Sequence, residues 1–216
     1  MYVAFEGPDG SGKSTLMGAV ASRLEVLNFE SICTREPGGT PFGKQIRAIL
    51  KDQALYRDID PLSRRVLFEA DRLTQQNKLV RPALDAGKIV LTDRTSAVSN
   101  HCYSAMEGSG ATFVQKLEQL DPYRILPDLV VLVRTPASIC LRRIAENPDM
   151  GDPAERDKDK FLAVHNEYAK LIQTAMKRNV IKTMSGFTLK TLIADGVANL
   201  SDQSHLIATF ITNRWV

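Results

Sequence analysis

Residues Gly7-Pro8-Asp9-Gly10-Ser11-Gly12-Lys13-Ser14 constrain this chain more than any other stretch. They fit the pattern G-x-x-x-x-G-K-[ST], follow the strand-like run Tyr2 to Glu6, and open a segment of helical spacing from Gly12 to Leu27. Glycines in such a loop let consecutive backbone N–H groups turn inward around an anion, which residues carrying a Cβ would obstruct. The helix that follows aims the positive end of its dipole at the same anion. The pattern therefore predicts a phosphate-binding loop, with Lys13 reaching β- and γ-phosphates and the Ser14 hydroxyl coordinating Mg²⁺.

The rest of the chain alternates short apolar runs with longer helical patterns, which predicts an α/β fold with a parallel sheet covered by helices. Strands are expected at Tyr2 to Glu6, Ser31 to Thr34, Ile89 to Thr92, Leu129 to Val133 and Val180 to Met184. Helices are expected at Gly12 to Leu27, Phe42 to Leu50, Pro61 to Ala86, Ala111 to Leu120, Ile139 to Ile144 and Lys158 to Lys177. Right-handed crossovers would put the carboxyl ends of the strands on one edge, where such sheets bind ligands. Asn147 to Asp157 is rich in proline, glycine and charge, and reads either as a solvated loop or as a mobile lid. Ser201 to Val216 reads as a short docked helix.

Composition sets the limits of this reading. Apolar residues make up 44% and charged residues 25%, a globular balance that excludes disordered and fibrous classes. A net charge of +3 suits phosphate anions but is too dispersed for a nucleic-acid face, and it is also common without any anionic partner. Cys33, Cys102 and Cys140 form no disulfide framework or zinc pattern, so a cytoplasmic location is expected. The opening residues carry neither a basic n-region nor a long apolar run, which predicts no signal peptide and no membrane partner. His101, His165 and His205 lack ligand spacing, so no metal beyond Mg²⁺ is expected.

A second phosphate-handling group ends the third strand. Asp93 and Arg94 put a carboxylate where it would hold the water shell of Mg²⁺ and a guanidinium where it would neutralise phosphate charge. The dipeptide by itself is also compatible with an ordinary surface ion pair. No N-K-x-D guanine reader is present, since Asn77-Lys78 continues as Leu79-Val80.

From Tyr2 to about Leu200 the sequence resembles the bacterial-type thymidylate kinase family of P-loop nucleoside-monophosphate kinases. The resemblance rests on Thr34-Arg35-Glu36-Pro37-Gly38-Gly39-Thr40, on Phe68-Glu69-Ala70-Asp71-Arg72 with Arg81-Pro82-Ala83-Leu84, on Asp93-Arg94, on Ser99-Asn100 with Tyr103, and on Pro127-Asp128-Leu129. It implies a three-layer P-loop fold with a five-stranded parallel sheet, one domain over 1–216, and a small lid near 143–160. It implies transfer of the γ-phosphoryl of ATP to dTMP in a cytoplasmic homodimer. A kinase of dUMP or a 5-substituted dUMP, or a nucleotide-binding module without catalysis, are the competing expectations.

The resemblance also implies roles. Gly7, Asp9, Gly10, Ser11, Gly12, Lys13, Ser14 and Thr15 would bind ATP, with Arg143 from the lid. Arg156, Lys158 and Lys160 are the other lid cations considered. Asp9, Lys13 and Arg94 would be catalytic, while Ser14 and Asp93 would hold Mg²⁺ through water. The acceptor would meet Asp9, Glu36, Pro37, Phe68, Arg72, Arg94, Ser99, Asn100 and Tyr103. Phe68 would stack on the pyrimidine, although its helical spacing alone also fits a core residue. Arg72 lies four residues on, hence on the same face, and would reach thymine O4 or the acceptor phosphate. Asn100 would read the pyrimidine edge and Tyr103 would disfavour a 2′-hydroxyl.

Overall fold

The computed structural model describes residues 1–107, 111–119, 124–147 and 156–215. Its centre is a six-stranded sheet in the order β2-β3-β1-β4-β6-β5. The strands are β1 (Tyr2–Glu6), β2 (Ser31–Arg35), β3 (Ile89–Asp93), β4 (Leu129–Arg134), β5 (Val180–Lys182) and β6 (Thr188–Asp195). Every neighbouring pair is parallel except β5 with β6.

Parallel strands buried on both faces read as near-continuous apolar runs, and alternate residues serve opposite layers. Val3, Phe5, Leu91, Val131 and Val133 pack on one side against Leu16, Val20 and Leu24 of α1 (Lys13–Val26) and Ile207 and Ile211 of α10 (Leu200–Trp215). On the other side Val130 and Leu132 meet α6 (Ser96–Glu107) and α9 (Lys158–Arg178), through Val98, Cys102, Val164 and Tyr168. Tyr2 and Val90 meet Val80 and Ala83 on that same side. The remaining helices are α2 (Pro41–Lys51), α3 (Gln53–Asp58), α4 (Pro61–Gln75), α5 (Arg81–Asp85), α7 (Ala111–Gln119) and α8 (Ala137–Glu146). Three layers follow from this pattern.

The helix expected from Pro61 to Ala86 is continuous but changes register. A π-helical turn, Gln76–Val80, links α4 to α5, and the Arg81 N–H donates to Gln76 C=O across it. Pro82 accounts for the change, because a proline in α-register lacks an N–H and collides with the carbonyl four residues back. Asp60 caps α4 and Pro61 occupies its first turn, so its start is fixed.

Three expectations need correction. The run beginning at Val180 is not the fifth parallel strand but the short antiparallel edge β5. Thr183 and Gly186 turn the chain back, and the eight-residue β6 takes the fifth parallel place beside β4. The alternating exposure of β6 from Thr188 to Thr191 interleaves threonine and lysine with apolar residues, which hides it from a search for apolar runs. The second and third corrections are the unexpected helices α3, which buries no side chain, and α6, in which serines, Asn100 and His101 interrupt the apolar residues.

The tail forms a helix, α10, up to Trp215, docked along α1 and anchored by Arg23, which donates to Ser201 and Ser204. Residues 148–155 of the expected lid lie outside the described residues; beyond them Asp157 caps α9 by accepting from the Asp159 and Lys160 N–H groups. Among the described residues no helix is long and apolar enough to cross a membrane.

The α10–α1 seam gives a direct test of this packing. Ile211→Ala, at a fully buried position, is expected to lower unfolding free energy by about 2–5 kcal/mol. Leu206→Ala, on the solvent side of the same helix, is expected to change it by about 0.5 kcal/mol or less. Urea denaturation of the two variants decides, and equal effects would remove α10 from the core.

Candidate active site

The carboxyl ends of the parallel strands converge on one edge. Register sets Phe5 opposite Asp93, Arg35 opposite Asp93, and Arg134 opposite Asp195. The segments that follow β1, β2, β3 and β6 at this edge line one space, a cavity of about 710 Å³.

The first loop is the glycine-rich one. Gly10 and Gly12 take φ values of 77° and 93°, a left-handed region that side chains disfavour. A Cβ on Gly10 would also come within 2.5 Å of the Cys140 carbonyl oxygen, so α8 closes that position to anything larger. Helix α1 starts at Lys13 with no side-chain cap and no acid in its first turn, which leaves its N-terminal dipole facing the cavity uncompensated. Lys13 is buried, with Nζ 3.1 Å from Asp9 Oδ1 and 3.4 Å from Pro8 O.

Asp9 joins the loop to the end of β3. Its Oδ1 accepts from Arg94 Nη2 at 2.6 Å, so one carboxylate oxygen lies between two cations. Arg94 itself sits at φ 80°, a conformation that costs a non-glycine residue roughly 1–3 kcal/mol. Thr92 Oγ1 donates to its carbonyl and its N–H donates to Phe5 O, which hold it there. Beside it, Ser14 Oγ donates to Asp93 Oδ2. Asp93 Oδ1 is buried, 3.9 Å from Lys13 Nζ and without a hydrogen-bond partner among the described residues. A hydroxyl and an orphaned carboxylate oxygen offer only hard donors, and no cluster of three or more His, Cys, Asp or Glu side chains accompanies them among the described residues. That pair fits Mg²⁺, which keeps most of its waters and takes one or two protein oxygens plus phosphate.

At the other end of the cavity the side chains of α4 dominate. Arg72 donates from Nε to Glu36 Oε2 at 2.9 Å and from Nη1 to Glu69 Oε2 at 3.0 Å and Asn100 Oδ1 at 2.9 Å. Its guanidinium lies 5.8 Å from the Phe68 ring centre. Burial works against the Arg72 charge, but Glu69 and Glu36 more than offset it and hold the pKa raised. Burial pushes Glu36 up to about 7 even with Arg72 beside it. Its Oε1 has no hydrogen-bond partner among the described residues, so this end keeps an acceptor of its own. Burial likewise raises Asp71, whose Oδ1 accepts from the Gly38 N–H and so ties the 34–40 segment to α4.

Most residues expected at the site do line the cavity: Asp9, Gly10, Gly12, Lys13, Ser14, Thr15, Glu36, Pro37, Phe68, Arg72, Asp93, Arg94, Ser99, Tyr103 and Arg143. Three do not. Gly7 contributes its carbonyl to Arg94, and Ser11 is buried beneath the loop. Asn100, expected to face a base, is buried behind Arg72 with its amide oxygen accepting from it. Of the lid cations, Arg143 donates to the carbonyls of Gly10 and Gly196, whereas Arg156, Lys158 and Lys160 are exposed and do not line the cavity.

Sequence reasoning did not single out Arg47, Lys51, Tyr56 and Arg65, which also line the cavity, and it missed two further groups. Asp195, Gly196, Val197 and Ala198 wall the cavity beside Arg143, and went unseen because the strand that delivers them was not recognised. A Cβ on Gly196 would collide with Thr135 Oγ1 and Ser11 O, so this turn packs directly on the glycine-rich loop. The other group is Glu6 and Tyr168, both buried. The Tyr168 hydroxyl donates to Glu6 Oε2 at 2.6 Å and accepts from Arg94 Nη1 at 3.0 Å.

Known proteins share this arrangement of sequence. The profile described as thymidylate kinase matches residues 5–187. A protein of Prochlorococcus marinus (strain NATL1A) named thymidylate kinase is 34% identical over 173 residues, covering 75% of this chain and 78% of that protein. One of the same name from Levilactobacillus brevis is 32% identical over 215 residues, covering 93% and 98%. Another, from Pelobacter propionicus, is 31% identical over 219 residues, covering 99% and 94%. With its glycine-rich loop, Asp93-Arg94 and the Phe68–Arg72 face around one cavity, and with that profile spanning most of its length, the chain belongs to the thymidylate kinase family.

Proposed function

We propose that the protein is a nucleoside-monophosphate kinase that transfers the γ-phosphoryl group of ATP to dTMP. The observation that carries this reading is one cavity with two differently built ends. One is a phosphate cradle formed by Gly10, Gly12, Lys13 and the α1 N-terminus, and the other is an aromatic and cationic face formed by Phe68 and Arg72. A donor triphosphate and an acceptor nucleotide need such opposed ends to meet in line. The turn Asp195–Ala198 beside Arg143 suits the donor's base and sugar, since both adjoin the cradle.

Transfer needs position and charge neutralisation more than a protein nucleophile. Lys13 would follow the β- and γ-phosphates, and Arg94 would bridge the donor and acceptor phosphates once they displace its contact with Asp9. Held by Ser14, Asp93 and water, Mg²⁺ would supply further neutralisation of the donor phosphates. Asp9, released from the two cations, would accept from the acceptor sugar hydroxyl or from metal-bound water. Phe68 would stack on the pyrimidine, and Tyr103, already beneath the Arg94 guanidinium at 5.0 Å, would crowd a 2′-hydroxyl. Asn100 acts on the base only through Arg72 in this reading. By the family resemblance, a lid would exclude water, which otherwise competes as acceptor. A homodimer in the cytoplasm completes the proposal, and the three free cysteines suit a reducing compartment.

The deciding experiment is coupled ADP release with ATP–Mg²⁺ and dTMP, dUMP, dCMP, dGMP or AMP as acceptor. We expect kcat/KM for dTMP to exceed each of the others by about tenfold or more, the worth of one well-made contact. ADP release independent of any monophosphate would overturn the kinase reading, while preference for another acceptor would overturn only the choice of dTMP. Lys13→Ala is expected to lower kcat by about 10²–10³-fold, read in the same assay with saturating substrates. Phe68→Ala should raise KM for dTMP by about 5- to 150-fold, the equivalent of 1–3 kcal/mol of stacking, with KM for ATP nearly unchanged. Phe68 is the cleaner probe of this end, because Arg72→Ala would also strand the buried carboxylates of Glu36 and Glu69.

A further inference from the structure

We propose that Glu6 and Tyr168 are positioning residues for phosphoryl transfer, holding the Arg94 guanidinium at the transfer point through a carboxylate–phenol–guanidinium chain. This rests on the reading of Arg94 as the cation that meets the transferred phosphate.

Neither residue lines the cavity, so any part they take must pass through another side chain. The route is explicit. Glu6 ends β1, one residue before the glycine-rich loop, and is fully buried. Its Oε1 accepts from the Thr95 N–H at 2.7 Å and from Ser99 Oγ at 3.0 Å, and its Oε2 accepts the Tyr168 hydroxyl proton at 2.6 Å. With its proton committed to Glu6, the phenol oxygen has only a lone pair to offer, and Arg94 Nη1 donates to it at 3.0 Å.

The same Nη1 donates to Gly7 O at 3.2 Å, so one nitrogen of the fork is consumed by the protein. The other, Nη2, faces Asp9 Oδ1, the position where an incoming phosphate oxygen would compete. An arginine side chain has about 2 kcal/mol of rotamer freedom to lose. Tyr168, nearly fully buried among the α6 and α9 side chains, gives it a fixed partner on one side. Tyr103 gives it a ring on the other.

Glu6 also braces the backbone, because the Thr95 N–H it accepts is the peptide immediately after the left-handed Arg94. One carboxylate thus constrains both the main chain and, through Tyr168, the side chain of that residue. A merely structural polar cluster would satisfy the same buried groups without directing one nitrogen of the arginine into the cavity.

The experiment is a double-mutant cycle in steady-state kinetics with ATP–Mg²⁺ and dTMP, using Tyr168→Phe, Arg94→Ala and the pair, each checked for folding by circular dichroism. Tyr168→Phe keeps the ring and its packing and removes only the hydroxyl. We expect it to lower kcat about ten- to a hundredfold, as a displaced catalytic group does, with KM for both substrates within about twofold. In the Arg94→Ala background the same change should cost nothing further, because the group it positions is gone. Glu6→Gln should lower kcat in the same direction as Tyr168→Phe, and serves if the phenylalanine variant does not fold. A kcat for Tyr168→Phe within about twofold of the parent, with Arg94→Ala impaired, overturns this proposal alone. Losses that multiply in the double variant also overturn it, since they show an effect that does not pass through Arg94. Full turnover by Arg94→Ala overturns the role of that arginine and the proposal with it.

Discussion

The parallel register of β1 against β3 is the constraint on which the site depends. Phe5 faces Asp93, so the chain leaves β1 into the glycine-rich loop at the level where it leaves β3 into Arg94. Ser14 can then reach Asp93, Asp9 can reach Arg94, and the Arg94 N–H can close on Phe5 O. A slip of one residue would invert the faces of the strand, sending Leu91 away from α1 and Asp93 away from the loop. Both faces of β1 and β3 are covered by closely packed helices, so such a slip would misfit the side chains of both layers at once. The hydrophobic core thereby fixes the distances between charged groups that it does not itself contain.

Those charged groups are expensive where they are. Glu6, Glu36, Glu69, Arg72, Lys13 and Asp93 are all buried, and taking an ion from water costs several kcal/mol even after relaxation. Pairing returns part of this, as with Arg72 between Glu36 and Glu69, but replacement by apolar side chains of similar volume is often neutral or stabilising. Stability therefore does not explain them. Preorganisation does, since donors and cations already fixed around the cavity need not reorient as charge develops on a transferring group. The raised pKa of Glu6 and of Glu36, driven by burial in both cases, is the trace of that cost.

What could be read in the sequence follows the same division. Gly7 to Ser14 and Asp93-Arg94 are contiguous, and their chemistry depends on local spacing after a strand, so they were legible before any coordinates. The helix from Pro61 was legible through its helical period, whereas the π-turn that Pro82 imposes within it was not read. Glu6 and Tyr168 were not legible, because 162 positions separate them and only the packing of α9 on the sheet makes them neighbours. The Asp195–Ala198 turn was lost with β6, whose outer residues are lysine and threonine. Asn100 was legible by likeness in type but not in direction. Its place on α6 turns its amide onto Arg72, a direction that only the packing of α6 against α4 sets.

The two ends of the cavity differ in kind. The phosphate end is built largely from backbone: two left-handed glycines, the start of α1, and the Gly196 turn packed against Thr135 and Ser11. Backbone N–H groups recognise any polyphosphate alike, so this end fixes the chemistry and carries little information about the nucleotide. The opposite end is built from side chains on α4 and α6, and each is held by another, Arg72 by Glu36, Glu69 and Asn100. A substitution there alters a contact and the support of its neighbours together, so their effects are coupled rather than additive. On the proposed reading, acceptor choice would change through the network as a set, while the phosphate cradle stays as it is.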